Sequence, residues 1–223
     1  MENGMTVERG LCAEDRPSAP PSLAGVSADR AARCDLYRLF AQAFRHPSGG
    51  MEELVAELRL AVADHPNPVP SPIIAMPPLA ELSQRYTQLF EASNGRSAIS
   101  LHESDFASKT RATVWEDIVR FYEHFGLNYN GQSIRLWPDH LALELECMHY
   151  LAFLESGMRA DAGPLLRAER DFLDRRLLTW TPELAQRLKD APQAEPYAAL
   201  AAWLCDCLRA DRAWLEQAIA EIN

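Results

Sequence analysis

WPDHLALELECMHYLAFLE, residues 137–155, decides the fold. At about 100° per residue, a helix through this stretch carries two apolar stripes. Leu141, Leu145, Met148 and Ala152 form one, and Leu143, Cys147, Tyr150 and Leu154 form another on roughly the opposite side. A helix that is apolar on two sides packs between neighbours, so this segment predicts the central helix of a bundle. Pro138 suits the first helical position, where its missing N–H costs nothing. Asp139 then falls in the first turn, where the helix dipole favours a carboxylate. Gly157 closes the helix. Asp139, His140, Glu144, Glu146 and His149 interrupt the oily pattern, and polar groups in such a place need partners or a cavity.

The flanking chain repeats the helical pattern. Ala32, Leu36, Leu39, Phe40, Ala43 and Phe44 recur at three- and four-residue spacing after Ser27, a residue suited to an N-cap. His46-Pro47-Ser48-Gly49-Gly50 stops that helix, and Leu54, Leu58, Ala61 and Val62 mark the next. Residues 66–78 hold six prolines and predict an extended connector. Leu79, Leu82, Tyr86, Leu89 and Phe90 share the face of a third helix. Asn94-Gly95 punctuates a loop. Residues 105–126 carry Val114, Ile118, Phe121, Tyr122 and Phe125 at helical spacing, with Gly126 placed to end the helix. Beyond the central helix, residues 163–180 read as helix. Thr181 then caps a helix with Pro182 at its first position, and a long amphipathic helix ends the chain. No period-two strand stands out. The expectation is an all-α protein: residues 27–223 as one helical bundle of about eight helices, and residues 1–26, rich in Pro, Ser, Gly and charge, as a mobile tail.

Composition narrows the function. The chain has 223 residues, 48% of them hydrophobic, and a formal charge of −10. That suffices for a sizeable core and disfavours nucleic acid, whose phosphates need a basic surface. A basic peptide, or a protein with a basic patch, fits better. Five irregularly spaced cysteines, most of them within apolar helical patterns, predict free thiols and a reducing cytoplasm. The start of the sequence lacks a basic stretch followed by an apolar run, and no window reaches the roughly 18 apolar residues a membrane span needs.

The central segment admits two chemistries. Glu146-x-x-His149 has the spacing used by carboxylate-bridged di-iron bundles, but such sites need two copies and two further carboxylates. No other histidine has a glutamate three residues upstream. A metal enzyme using Glu146 and His149 is therefore the alternative reading. His-Glu-x-x-His, the nucleophile elbow and the common phosphate-binding loops are absent. Trp137-Pro138-Asp139-His140 remains, together with Tyr86-x-x-Leu89-Phe90 upstream.

This pair of segments, in an all-helical chain, resembles the TorD/DmsD/NarJ family of redox-enzyme maturation chaperones. In that family an aromatic-x-x-Leu-Phe segment is followed by Pro-x-Asp-His or Pro-Asp-His. The match is Tyr86, Leu89 and Phe90, then Pro138, Asp139 and His140. The glutamate that often precedes the second segment is missing, and Arg135, Leu136 and Trp137 stand there. The loop SAISLHESDF further resembles the branch serving dimethyl sulfide, selenate, chlorate and ethylbenzene dehydrogenases.

The resemblance implies a cytoplasmic chaperone that performs no chemistry and needs no cofactor. Its partner would be the catalytic subunit of a molybdenum oxidoreductase. The chaperone would bind the twin-arginine leader, the apo form or both, until the cofactor is inserted. In that reading Asp139, with Glu103 or Glu144 nearby, pairs with guanidinium groups. Tyr86, Leu89, Phe90 and Trp137 supply apolar wall, His102 and Glu103 border it, and His140 tunes affinity by changing charge near neutral pH. The chain is expected as a monomer or as a dimer exchanging helices through the 66–78 connector.

Overall fold

The structure is a computed structural model that describes residues 12–13, 28–91, 99–131, 134–157 and 162–222. Eight α-helices occur among them: α1 Ala28–Ala43, α2 Met51–Ala63, α3 Leu79–Phe90, α4 Arg111–His124, α5 Leu141–Gly157, α6 Gly163–Arg175, α7 Leu177–Asp190 and α8 Tyr197–Ile222. The all-α expectation and the helix count hold. The 1–26 tail lies outside the described residues except Cys12–Ala13, which pair antiparallel with Leu127–Asn128. Sequence periodicity did not register this ladder, because two-residue strands have no period to read.

α5 is the central helix, as its two stripes require. Leu141, Leu143, Leu145, Cys147, Met148 and Ala152 are wholly buried. α1 lies along one side of α5 and α6 along another, while α8 packs on α6 and α7. The turn into α2 needs Gly49 and Gly50, whose φ values of 106° and 68° suit residues without a Cβ. Gly126, at φ 75°, ends α4 with its N–H on the Glu123 carbonyl at 3.0 Å. No regular element forms between Ala63 and Leu79, as the prolines demand. No helix among the described residues is long and apolar enough to cross a membrane.

Three boundaries differ from the sequence reading. α4 starts at Arg111 rather than near residue 105, because the Thr110 hydroxyl caps it by accepting from the Thr113 N–H. α7 starts at Leu177, so Thr181 is not a cap. Its hydroxyl donates to the Leu177 carbonyl at 2.7 Å, and Pro182 lies inside the helix. α5 starts at Leu141, not at Pro138. The backbone of the preceding turn is committed elsewhere: the Glu103 N–H donates to the Asp139 carbonyl at 3.0 Å, and the Leu141 N–H to the Leu101 carbonyl at 2.9 Å. The His140 ring caps the helix instead, its Nδ1 accepting from the Ala142 N–H at 3.1 Å.

Candidate functional site

The entry to α5 and the loop at residues 99–106 form one corner. His102 and His140 face each other in an isolated antiparallel bridge. Asp139 lies at the centre with no solvent exposure. Its Oδ1 accepts from the Trp115 indole N–H at 2.7 Å and lies 3.3 Å from His102 Nδ1, while its Oδ2 accepts from the Ser104 N–H at 3.0 Å. Burial pushes this carboxyl up, but the donors from His102 and Ser104 prevail and hold it down at about 2. Asp139 is thus an ionised hub that fixes an aromatic surface. Trp137 covers it, 44% exposed, 5.2 Å from both His102 and Trp115, with the Arg111 guanidinium 4.6 Å from its ring centre. Pro138 is buried behind, its carbonyl accepting from the Tyr122 hydroxyl at 2.9 Å.

His140 departs from expectation. Burial, reinforced by His102 and Arg45, lowers its pKa well below 6.5, so it is neutral at neutral pH. With Nδ1 accepting, its proton sits on Nε2. It caps a helix rather than switching charge near pH 7.

Glu103, within the same loop, and Glu144, on α5, form a second layer beside this corner. The Arg176 guanidinium donates to both Glu103 oxygens, at 3.1 and 3.3 Å. Glu144, wholly buried, accepts from the Trp180 indole N–H at 3.2 Å. Burial and the neighbouring Glu103 carboxylate raise Glu144 well above 4.5, which favours its neutral form.

The Tyr86 segment belongs to a separate aromatic cluster. Tyr86 and Leu89 are buried and Phe90 is half-buried. Tyr86 packs on His46, Phe90 and Tyr197, and its hydroxyl donates to the Phe44 carbonyl at 3.1 Å. Leu89 reaches the corner through its backbone, whose carbonyl accepts from the Ile99 N–H at the start of the loop. The structure therefore brings together His102, Glu103, Trp137, Pro138, Asp139, His140 and Glu144, and sets Tyr86, Leu89 and Phe90 apart as a brace. Sequence reading did not single out Ser104, Trp115, Arg176 or Trp180. No local pattern marks them, because their partners lie on other elements.

Glu146 and His149 do not converge. Arg45 donates to Glu146 at 2.5 Å, while His149 Nδ1 lies 2.9 Å from the Cys34 carbonyl. Among the described residues, no group of three His, Cys, Asp or Glu side chains is arranged to hold a metal ion.

A family model described as the nitrate reductase delta subunit matches residues 45–186. This chain belongs to the nitrate reductase delta subunit family. The selenate reductase assembly chaperone protein of Thauera selenatis is 37% identical over 142 residues, 61% of this chain and 72% of that one. The dimethyl sulfide dehydrogenase assembly chaperone protein of Rhodovulum sulfidophilum is 32% identical over 175 residues, 70% and 69% of the two chains. The chlorate reductase assembly chaperone protein of Ideonella dechloratans is 39% identical over 112 residues, 48% of this chain and 58% of that one. The delta-subunit match takes in the whole Asp139 corner, the Glu103–Glu144 layer and the Tyr86 brace.

Proposed function

We propose that this protein is an assembly chaperone, a binding protein rather than a catalyst, whose client is the catalytic subunit of a molybdenum oxidoreductase. It binds the client's twin-arginine leader, its apo form or both in the cytoplasm, and holds it until the cofactor is in place. The observation that carries this reading is the exposed Trp137, fixed over a fully satisfied, buried Asp139 in a chain of the delta-subunit family. A held aromatic surface contributes apolar contact area at little entropic cost, which suits the hydrophobic part of a leader. Asp139 is buried with both carboxylate oxygens engaged, so Trp137 and His102 meet the guest first and Asp139 positions them.

Calorimetric titration with a synthetic twin-arginine leader, beside a Lys-Lys control, tests the reading. Preferential binding of the Arg-Arg peptide, weakened at least tenfold by Trp137→Ala, is the expected result. Equal binding of both peptides, or of neither, removes the leader from the proposal.

A further inference from the structure

A groove of about 930 Å³, lined by neither Trp137 nor His102, opens between α4, α6 and the start of α7. Its floor is aromatic, built from Phe106, Phe121, Phe125, Phe172 and Trp180. Its charges are not balanced. The acids are all engaged within the chain: Glu103 by Arg176, Asp117 by Lys109 at 3.1 Å, and Asp171 by Arg170 at 3.0 Å. Arg167 and Arg175, two more lining residues, have no ion pair or hydrogen bond among the described residues. They lie on α6 in one line with Asp171, at four-residue spacing. A chain with a formal charge of −10 thus presents two uncompensated guanidinium groups along an apolar groove.

We propose that this groove docks a client segment with an apolar face flanked by carboxylates, and that Arg167 and Arg175 select it by those carboxylates. An aromatic floor with a cationic rim complements an amphipathic acidic segment and repels an Arg-Arg leader. The groove is therefore a second docking surface, for the mature part of the client, with a lining that excludes Trp137, His102 and Asp139. The proposal rests on the reading that the chain binds a client polypeptide, but not on which part meets Trp137.

The test uses two synthetic amphipathic peptides with the same Leu/Phe face, one carrying Glu elsewhere and the other Lys. Fluorescence anisotropy is read on the full chain, on Arg167→Glu/Arg175→Glu and on the milder Arg167→Gln/Arg175→Gln. Circular dichroism checks that each variant keeps its helices. The Glu peptide should bind the unaltered chain at least tenfold more tightly than the Lys peptide, and less tightly as salt rises. The Gln variant should lose much of that preference, and the Glu variant should reverse it. Leader affinity should be the same in all three chains. Failure of the Glu peptide to bind, or binding indifferent to both double variants, overturns the proposal. Leader affinity that tracks the variants overturns it too, because the two surfaces would then be one. A leader that binds none of the chains, beside a Glu peptide that behaves as expected, overturns the leader reading alone.

Discussion

Arg33 and Asp211, 178 residues apart in sequence, meet through two hydrogen bonds of 2.6 and 3.1 Å, with both side chains fully buried. Arg33 also reaches Glu155 at 3.4 Å, contacts Glu169 and lies 4.1 Å from the centre of the Trp214 ring. Asp211 further accepts from the Tyr37 hydroxyl at 2.5 Å and meets His65 Nε2 at 3.0 Å. One guanidinium thus ties α1 to α5, α6 and α8 beneath the surface.

Arg33→Met should be strongly destabilising. It leaves Glu155, Glu169 and Asp211 buried without their shared cation, and breaking a buried pair from one side costs about 3–5 kcal/mol. Urea denaturation at pH 7 measures it, and a loss below about 1 kcal/mol would show that the network relaxes or hydrates.

The same network sets a pH dependence. Burial pushes Glu169 up to about 7 from its ordinary 4.5, against the pull of Arg33. Its folded pKa is raised, so its contribution is fully present below about pH 4.5 and is lost as pH rises through 7. For Asp211, burial is outweighed by Arg33 and by the His65 hydrogen bond. Its pKa falls below 3.8, and its contribution appears above that value and is lost in acid. Glu169→Gln should therefore flatten the decline in melting temperature between about pH 5 and 8 while leaving the acid limb in place. Parallel pH profiles for the two proteins would refute the assignment.

Asp139→Asn keeps the size of the hub and removes its charge. The hydrogen bonds from Trp115 and Ser104 lose a charged acceptor, a change worth about 1.5–3 kcal/mol. Hydrogen exchange at the Ser104 amide should accelerate and Trp fluorescence should shift, with leader binding weakened through Trp137. Because the Asp139 pKa is depressed to about 2, the difference between mutant and parent should shrink as pH falls from about 4 toward 2. Unchanged Ser104 exchange would mean that the carboxylate does not hold the loop.

Glu144→Gln should gain on the parent as pH rises above about 4.5, because keeping the buried native carboxyl protonated then costs stability that the amide does not need. Its raised pKa makes the native contribution present below about 4.5 and lost at high pH, so the variant should melt later than the parent in alkaline buffer. Glu144→Lys, by contrast, buries an ammonium against Trp180 and should prevent folding. Thermal melts of the pair decide it. A large loss in Glu144→Gln at pH 7 would mean that Glu144 is ionised.

Helix identity was legible along the chain because it is local. Apolar spacing, proline exclusion and the Gly126 stop act within a turn or two, and α5 declared its central place through two apolar stripes. Part of the corner was legible as well: Asp139, His140, His102 and Glu103 do converge. Their roles were not. Asp139 and His140 are charged or polar types that sequence reading assigns to a guest or a pH switch, whereas here they are spent on Trp115, Ser104 and Ala142.

By itself, the sequence determined an all-helical bundle with α5 inside it and a proline-rich connector outside it, since hydrophobic periodicity and backbone restriction need no distant partner. Only the tertiary structure decided where α5 begins, because the 101–103 backbone takes up the hydrogen-bonding groups of Asp139 and Leu141. It alone joined Arg33 to Asp211 and, among the described residues, left Arg167 and Arg175 without an ion pair at the groove. Charges at apolar-face positions, as at Arg33, Glu155, Glu169 and Asp211, announce that a partner is required. Which partner arrives depends on how helices far apart in sequence pack, and no local pattern carries that information.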